Sequence, residues 1–465
     1  MKKLVLLLIG LSLTLYLAGQ STKSPSASLG EIDDFILGKM ELLHIPGLSA
    51  CIIVGDSIVW HNNYGYMNLE DSIAVNDSTL FNVFSVGKTV TAATIMSLWD
   101  HQLLGLDQDI NDFIPFHPDN PYVENDSISA RMLMAHTASI NDGNVIDYTS
   151  LGDPTEPLGS FLENFLTPDG VYYSDNNYFQ ETPGITFQYS NYGAALNGYL
   201  VEPLTGRKFN EYARDSIFNK LNMPSSAWFL SELNLDNHAI PYEYLNDGSY
   251  SSYKFYGHPA YPGLSLHSTA LELGNFAMML LNNGVFKGEV VLSSQAIDSM
   301  KTVQVSAPGY EESCLGLFKL NNFGGRTVWG HNGGGVLGSI THLYFCPEEN
   351  SAIVITINLA QWVYYIVEYM FDYASLISGI SEDREHIQTS INMYPNPTKG
   401  KLNFELSDNS IISGIEIYNI QGSLLKNQLT ESSLHTINVS DLPSGIYILK
   451  IRLEEGFVIK KLVKQ

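Results

Sequence analysis

The chain is poor in cysteine. It has three cysteines, Cys51, Cys314 and Cys346, among 465 residues, and an odd number cannot form a fully paired disulfide framework. A bridge between Cys314 and Cys346 fits the sequence, and so do buried thiols. The count therefore excludes a scaffold whose cysteines are all cross-linked, and it leaves the state of these two residues open.

Basic residues are also scarce. The sequence contains 24 Lys and Arg residues against 49 Asp and Glu residues, and its formal net charge is −25 at pH 7. Binding to nucleic acid or to an anionic membrane surface requires a concentration of positive charge. The composition therefore argues against both kinds of partner.

Motifs for metals and cofactors are missing as well. No glycine-rich phosphate-binding loop occurs, and the cysteines and histidines are scattered without the spacing of zinc ligands. We therefore expect neither a metal nor an organic cofactor.

A long apolar run occurs at the N-terminus. Two lysines follow Met1, residues 4–17 are mostly apolar, and Ala18-Gly19-Gln20 completes the three parts of a secretory signal peptide. The apolar part is too short to span a bilayer comfortably, and no cysteine lies near the cleavage region to carry a lipid. We predict a signal peptide over residues 1–20 rather than a permanent anchor.

The length and a change in composition predict several domains. A chain of 465 residues exceeds one ordinary core, and two or three domains are expected. Residues 379–390 form a short charged linker, and short β-type runs separated by turns follow it. From Ser390 on there are 8 basic and 7 acidic residues, in contrast to the acidic chain as a whole. We predict a main domain at 28–378, the linker at 379–390 and a small β-sandwich at 391–465.

The main domain has sheet-like segments at both ends. Residues 48–54 and 57–60 read as a hairpin around Gly55-Asp56, and residues 340–345 and 352–357 read as strands before a closing helix. The region between them is mostly helical, with a long polar loop from Asn141 to Thr186. This order predicts one sheet of sequence-distant strands with a helical region inserted.

The stretch with the clearest chemistry begins at Ser85. Extended residues 80–84 precede it, and apolar residues recur at helical spacing after it. Lys88 lies one turn further on the same helix face, where its amine can reach the Ser85 hydroxyl. The pair is a nucleophile with a base beside it.

A capping serine followed by a solvated lysine is the alternative interpretation of this pair. The spacing Ser-x-x-Lys is not specific, because it recurs at Ser251 and Ser423. The helix behind Ser85 looks fully buried, however, and a lysine in its first turn opposes the positive end of the helix dipole.

Three motifs occur in a characteristic order: Ser85-Val-Gly-Lys88, Tyr189-Ser-Asn191 and His331-Asn-Gly333. Further similar stretches lie at residues 80–89, 103–107, 133–137, 209–224 and 262–269. Together they resemble the serine β-lactamase and penicillin-binding-protein superfamily, in the branch of class C β-lactamases, esterases and D-amino-acid peptidases. The resemblance covers about residues 30–377. It implies an α/β (α+β) β-lactamase/transpeptidase-like fold, with an antiparallel sheet, flanking terminal helices and a helical subdomain.

The resemblance also implies roles for residues. Ser85 would attack a carbonyl, with Lys88 and Tyr189 sharing the proton transfers of acylation and deacylation, and either of them is the candidate base. Asn191 would bind the acyl side chain of the substrate or Lys88. Backbone N–H groups of Ser85 and Gly334 would form the oxyanion hole.

Each of these residues has a structural alternative. Tyr189 is also compatible with a packed aromatic, Asn191 with a helix N-cap, and the glycines at 333–335 with a flexible turn. His136 is better explained by a structural hydrogen bond than by catalysis.

The sequence departs from related lactamases at His331 and Asn332, where those enzymes carry lysine and threonine, and the class A glutamate motif is not recognisable. Without the fixed positive charge of that lysine, recognition of a β-lactam carboxylate should weaken. His331, Gly333 and Gly334 are still expected to border the substrate.

We expect esters, or peptides and amides with a D-residue, to be better substrates than β-lactams. The alternatives are a β-lactamase or D,D-carboxypeptidase, and a surface binding protein that keeps the fold without the chemistry.

The last 75 residues resemble the sorting domain of the type IX secretion system. The similar stretches are residues 392–397, 417–422, 442–447 and 460–463. The resemblance implies that the type IX secretion machinery is a partner and that the protein is secreted or displayed at the cell surface. A binding β-sandwich is the alternative.

Overall fold

The computed structural model describes residues 32–124, 127–309, 311–335, 337–378, 391–406, 411–412, 414–419, 424–429, 436–453 and 456–465. The predicted signal peptide and linker lie outside these residues. Among the described helices, none is both long and apolar enough to cross a membrane.

The α-helices of the described chain span Ile32–Leu42, Val86–Asp100, Ala130–Met134, Leu158–Leu166, Asn191–Tyr199, Val201–Thr205, Phe209–Ala213, Ala270–Leu281, Ser294–Lys301 and Tyr364–Ser378. A π-helical turn spans Arg214–Phe218. Short 3₁₀ segments span Ile110–Asp112, Val145–Tyr148, Asp175–Asn177, Leu230–Glu232, Leu235–Asn237 and Tyr261–Gly263.

The strands are β1 (Gly47–Val54), β2 (Ser57–Asn68), β3 (Ile73–Ala74), β4 (Phe81–Asn82), β5 (Ser150–Leu151), β6 (Tyr242–Tyr244), β7 (Tyr250–Ser252), β8 (Tyr256–Gly257), β9 (His267–Ser268), β10 (Val285–Phe286), β11 (Glu289–Val290), β12 (Val305–Ala307), β13 (Glu311–Ser313), β14 (Phe318–Phe323), β15 (Arg326–Gly335), β16 (Ser339–Cys346), β17 (Ser351–Ile357), β18 (Ile391–Tyr394), β19 (Lys401–Leu406), β20 (Gly414–Asn419), β21 (Leu424–Leu429), β22 (Thr436–Asn438), β23 (Gly445–Leu453) and β24 (Gly456–Lys464).

The described residues group into two units. The first contains Met40–Val367, and the second contains the described parts of Lys23–Lys39 and Glu368–Gln465. The domain boundaries at residues 28, 378 and 391 stay predictions.

A nine-stranded antiparallel sheet forms the centre of the first unit, in the order β12-β13-β14-β15-β16-β17-β1-β2-β3. Strand β1 pairs with β17, so that Ile52 lies opposite Ile353, about three hundred residues later in the chain. The predicted sheet of sequence-distant strands is therefore present.

The middle strands are buried on both faces. Every residue of β16 and β17 is buried, including the polar residues Thr341, His342 and Thr356. Neither strand therefore has the exposed face of a half-buried strand. The helix Ala270–Leu281 packs closely on this part of the sheet. A Cβ atom at Gly274 would lie 2.8 Å from the sulfur of Cys51, so glycine at this position permits the close approach.

The helix Val86–Asp100, called the central helix below, is buried on nearly all sides. Two of its threonines donate to backbone carbonyls: Thr89 donates to Gly316 at 2.8 Å and Thr91 donates to Pro262 at 2.7 Å. A helix that is apolar all round lies inside a core. Lys88 in its first turn is therefore held in the interior of the protein.

The sequence-based prediction of a long loop from Asn141 to Thr186 was wrong over one segment. Residues Leu158–Leu166 form a helix, and Leu158, Phe161 and Phe165 on its inner face are buried. These apolar residues recur at helical spacing, but glycine, aspartate and tyrosine on either side obscured the short run.

The second unit contains two antiparallel sheets, β18-β19-β22 and β21-β20-β23-β24. Apolar residues from both sheets form one core, including Leu402, Ile417 and Leu449. The described C-terminal strands therefore agree with the predicted all-β module.

Candidate active site

Ser85 lies at a sharp turn between a short strand and the central helix. Phe84, directly before it, has a φ of +46°, in the left-handed region that a bulky residue rarely adopts. The Asn82 side chain accepts a hydrogen bond from the Phe84 N–H at 2.9 Å and so supports the turn. Within the described chain the Ser85 side chain makes no capping hydrogen bond. Ser85 thus occupies the N-cap position, but the interpretation that its side chain caps the helix was wrong.

Lys88 is buried against Ser85. Its Nζ lies 3.0 Å from Ser85 Oγ, 2.7 Å from Asn191 Oδ1 and 2.6 Å from the carbonyl oxygen of Gly263. Lys88 is 3% exposed, so the alternative of a solvated lysine was also wrong. Burial lowers the pKa of Lys88 to about 7, although the charge of Asp142 opposes this shift.

These contacts determine what a neutral Lys88 can do. Asn191 Oδ1 and the Gly263 carbonyl only accept hydrogen bonds, so the two N–H bonds of the neutral amine are directed to them. The remaining lone pair faces Ser85 Oγ at 3.0 Å. In this form Lys88 is placed to accept the serine proton.

Tyr189 lies over Lys88 and among other rings. Lys88 Nζ is 5.1 Å from the centroid of the Tyr189 ring. The centroid of the Tyr189 ring is 4.4 Å from that of His136 and 6.4 Å from that of Phe318. Sequence reasoning placed Tyr189 near Ser85 and Lys88, and the structure brings its ring to the amine.

Asn191 is the first residue of its helix, and the residue before it provides the cap. Ser190 Oγ accepts a hydrogen bond from the Gly193 N–H at 2.8 Å. The interpretation of Asn191 as a helix N-cap was therefore wrong, and its side chain is directed to Lys88 instead.

Asp142 is a site residue that sequence reasoning missed. Its carboxylate accepts hydrogen bonds from Ser190 Oγ at 2.6 Å, from the Asn191 N–H at 2.6 Å, from Asn191 Nδ2 at 2.8 Å and from the Tyr192 N–H at 2.9 Å. In the sequence Asp142 stands before a glycine in a polar stretch, which is typical of a turn. No local pattern distinguishes it from the exposed aspartates nearby.

His136 has the structural role expected from the sequence. Its Nδ1 accepts a hydrogen bond from the Ser190 N–H at 3.2 Å. Burial, together with the nearby charge of Lys88, lowers the pKa of His136 well below its usual value. His136 is therefore a neutral acceptor that supports the segment of Tyr189 and Ser190.

His331 on β15 is buried and neutral. It is 2% exposed, and its ring lies 5.0 Å from that of Phe318 and 6.2 Å from that of Tyr189. Burial and the nearby charge of Lys88 lower the pKa of His331 to about 3. The imidazole therefore carries no positive charge at neutral pH.

The Asn332 side chain is directed elsewhere. Its amide donates a hydrogen bond to the hydroxyl of Tyr364, and alternation along a strand puts it on the face opposite to His331. The Asn332 side chain is thus held away from the His331 imidazole, whose Nδ1 is hydrogen-bonded to the backbone carbonyl of Asn332.

Gly333 and Gly334 belong to β15, so the interpretation of a flexible turn was wrong. A Cβ atom at Gly333 would overlap the carbonyl oxygen of Val83 and lie 3.0 Å from the Ser85 nitrogen. Glycine therefore lets the strand run directly beside the backbone of Ser85. Strand β14 stops pairing with β15 at Gly330, while β16 pairs through Gly335. Beyond Gly330, β15 is therefore paired with β16 on one edge but not with the described residues of β14 on the other.

The cysteines and metal-binding side chains add no further chemistry to this site. Cys51, Cys314 and Cys346 are free and buried. Within the part of the chain that the structure describes, no group of three or more His, Cys, Asp or Glu residues is arranged to hold a metal ion.

Comparison with known families identifies the two parts of the chain. A family model described as Beta-lactamase matches residues 32–371. The chain belongs to the beta-lactamase family. A second model, described as Secretion system C-terminal sorting domain, matches residues 392–465. Such a domain marks proteins that the type IX system secretes to the cell surface or the exterior, so the predicted localisation is confirmed.

Curated relatives match part of the chain. Protein flp of Staphylococcus aureus strain N315 is 24% identical over 222 residues, which cover 48% of this chain and 43% of flp. Penicillin-binding protein 4* of Bacillus subtilis strain 168 is 23% identical over 193 residues, which cover 41% and 40%. The match therefore spans less than half the length of either relative.

Solved structures share the fold. The octameric penicillin-binding protein homologue from Pyrococcus abyssi has a TM-score of 0.61 at 19% identity, covering 94% of this chain and 97% of that chain. D-amino acid amidase from Ochrobactrum anthropi SV3, complexed with D-phenylalanine, has a TM-score of 0.58 at 16% identity, covering 75% and 99%. The hydrolase EstCE1 has a TM-score of 0.58 at 17% identity, covering 74% and 97%. The predicted fold class and the membership of a serine hydrolase family are confirmed.

Proposed function

We propose that the chain is a secreted serine hydrolase that forms an acyl-enzyme on Ser85 and acts on esters or on peptides and amides with a D-residue. The contact that carries the proposal is the 3.0 Å approach of Lys88 Nζ to Ser85 Oγ. Because burial lowers the pKa of Lys88 to about 7, a large fraction of the amine is neutral at physiological pH. A base is most effective when its pKa lies near the working pH.

Acylation follows from these positions. Neutral Lys88 takes the proton from Ser85 Oγ as the oxygen attacks the substrate carbonyl, and a tetrahedral intermediate forms. Backbone N–H groups of Ser85 and Gly334 donate hydrogen bonds to its negative oxygen. When the bond to the leaving group breaks, the proton held by Lys88 passes to that group.

Deacylation reverses these transfers with water in place of Ser85. Water attacks the acyl carbonyl and loses its proton to the same base, and the Ser85 oxygen leaves and takes a proton back. The resemblance to the family implies that Tyr189 shares this transfer, and the face of its ring lies 5.1 Å from Lys88 Nζ. Asn191 holds the amine in place through its Oδ1.

The charge at His331 supports the substrate class. In relatives that bind β-lactams, a lysine at this position faces the ligand carboxylate, whereas His331 is buried and its pKa is lowered to about 3. Losing one charge-assisted hydrogen bond weakens binding about ten- to a hundredfold. A D-amino acid amidase and the hydrolase EstCE1 are among the proteins of the same fold. Hydrolysis of β-lactams or of D,D-peptides is the alternative.

A fluorophosphonate probe tests the nucleophile. We expect the probe to label the purified chain and to leave Ser85→Ala unlabelled, because the probe reacts with an activated serine. Ser251→Ala is the matched control: Ser251 also precedes a lysine by three residues, but it is exposed on β7, and its loss should leave labelling unchanged. An unlabelled parent would favour a binding protein that lacks the chemistry.

A further inference from the structure

Asp142 is linked to the nucleophile through a single side chain. Its Oδ2 accepts a hydrogen bond from Asn191 Nδ2 at 2.8 Å, and Asn191 Oδ1 accepts one from Lys88 Nζ at 2.7 Å. Lys88 Nζ in turn lies 3.0 Å from Ser85 Oγ. The four residues form one continuous hydrogen-bonded chain from a carboxylate to the nucleophile.

The donors around Asp142 require it to be ionised. The backbone N–H groups and Asn191 Nδ2 can only donate. Ser190 Oγ, which already accepts from the Gly193 N–H, donates its hydrogen to Asp142. A protonated carboxyl would direct its own hydrogen against one of these donors. Burial raises the pKa of Asp142, and the four hydrogen bonds act in the opposite direction. The contacts therefore favour a buried negative charge.

This carboxylate fixes the orientation of the Asn191 amide. With Nδ2 bound to an obligatory acceptor, Oδ1 must face Lys88. If the amide turned over, it would present N–H groups to the amine of Lys88 and an oxygen to the carboxylate of Asp142. Both contacts would be repulsive while Lys88 is protonated.

Of the titratable groups described around Lys88, one is an anion and two are neutral histidines. Asp142 is the anion that acts on its pKa. His136 and His331 face the same amine, and both are neutral because their pKa values are lowered. Among the residues that the structure describes, Tyr189 is a further titratable neighbour, and its ring centroid lies 5.1 Å from Nζ. Asp142 is therefore the group whose removal changes the field at Lys88 most.

We propose that Asp142 is a positioning residue that holds the Asn191 amide in one orientation and thereby sets both the placement and the charge of Lys88 beside Ser85. The proposal rests on the assignment of Ser85 and Lys88 as nucleophile and base. Asp142 itself touches neither Ser85 nor the substrate, and it acts through Asn191 and through its charge.

The variant Asp142→Asn tests the proposal through the pH dependence of kcat/KM for a p-nitrophenyl ester. In the parent, activity should fall below about pH 7 as Lys88 is protonated, about tenfold per pH unit. Without the carboxylate, the neutral amine is favoured, so the acidic limb should move to lower pH by at least about half a unit. The plateau should fall about tenfold or more, because the amide at 142 turns Asn191 over and draws the lone pair of Lys88 away from Ser85.

Two further variants separate positioning from simple support of the fold. Asp142→Glu keeps the charge and should leave the acidic limb where the parent has it, with a lower plateau. Asp100→Asn is the matched control, because Asp100 also accepts from a serine hydroxyl at 2.6 Å and from a backbone N–H at 2.7 Å, both of Ser293. It lies twelve residues from Lys88 on the central helix, about 18 Å along the axis, and its loss should leave the profile unchanged.

The outcomes are distinct. The positioning role is overturned if folded Asp142→Asn loses activity at the same acidic pH as the parent. It is also overturned if Asp142→Glu shifts the acidic limb of the profile as far as Asp142→Asn does. If Asp142→Asn does not fold, the Glu variant still decides, because a shifted limb there contradicts the proposal. A parent that the fluorophosphonate probe does not label overturns the proposed function instead.

Discussion

At the scale of single residues, we propose that His331 is the position that most directly sets the substrate class. The buried, neutral imidazole stands where related β-lactam-binding enzymes carry a lysine. Its ring packs against Phe318 and Tyr189, so it provides a wall of the site rather than a charge. A change in the charge at this position should therefore change the preference among substrates.

The variant His331→Lys should shift the preference toward β-lactams. We expect the parent to have a higher kcat/KM for a p-nitrophenyl acyl ester or a D-alanyl dipeptide than for nitrocefin. Introducing the ammonium should raise kcat/KM for nitrocefin, divided by kcat/KM for the ester, about tenfold or more. The reason is that a charge-assisted hydrogen bond to the carboxylate is restored.

His61→Lys, which adds the same charge on a side chain that is 47% exposed, is the control and should leave the ratio unchanged. Nitrocefin turnover by the parent that exceeds both other substrates would contradict the assigned class. An unchanged ratio in His331→Lys would contradict the argument that the charge at position 331 sets the preference between nitrocefin and the ester.

The site residues differ in whether their role could be predicted from the sequence. Ser85 and Lys88 were predictable, because a spacing of three on a helix dictates their proximity. Asp142 was not, because its importance comes from burial beside Ser190 and Asn191, about fifty residues later in the chain. Hydrogen bonds between distant segments have no periodicity to detect.

At the scale of elements, the site depends on how closely β15 approaches the start of the central helix. Gly333 has no room for a side chain, because a Cβ atom would overlap the Val83 carbonyl oxygen and would lie only 3.0 Å from the Ser85 nitrogen. Gly335, two residues further, faces Phe84 at 3.6 Å, an ordinary contact distance. On the same face of the strand, a Cβ atom therefore does not fit at position 333 but fits at position 335.

The variant Gly333→Ala should lower kcat/KM for the ester at least about a hundredfold, the usual loss when one oxyanion donor is displaced. The added methyl group must push β15 away from Ser85. Gly335→Ala is the matched control and should keep most of the activity. Equal activity of the two variants would show that the approach of the strand does not form the oxyanion hole.

Elements were predictable where the apolar pattern was long and clear. The central helix and strands β1, β16 and β17 were anticipated, because each is rich in apolar residues over most of its length. The helix Leu158–Leu166 was missed because it is short and flanked by turn-forming residues. The polar strands β12, β13 and β14 have no alternating pattern, and their place at one edge of the sheet depends on pairing with distant residues.

At the scale of the whole molecule, the sequence indicated one sheet of sequence-distant strands but not the order of those strands. Sheet-forming segments at both ends of the main domain made pairing of β1 with β17 the economical solution. Periodicity contains no information on which distant strands are neighbours. The order of nine strands therefore required the structure.

The last prediction concerns the C-terminal sorting domain. The Beta-lactamase match ends at residue 371, the sorting-domain match begins at residue 392, and the candidate site residues from Ser85 to Gly334 all precede both points. Deleting residues 390–465 should leave fluorophosphonate labelling of Ser85 intact and should retain the protein in the periplasm, since the signal for passage across the outer membrane is removed. Cell fractionation with labelling of each fraction measures both effects, and the same deletion in Ser85→Ala is the unlabelled control. A truncated chain that still reaches the exterior would contradict the sorting role, whereas loss of labelling together with loss of export would show that the two parts do not fold independently.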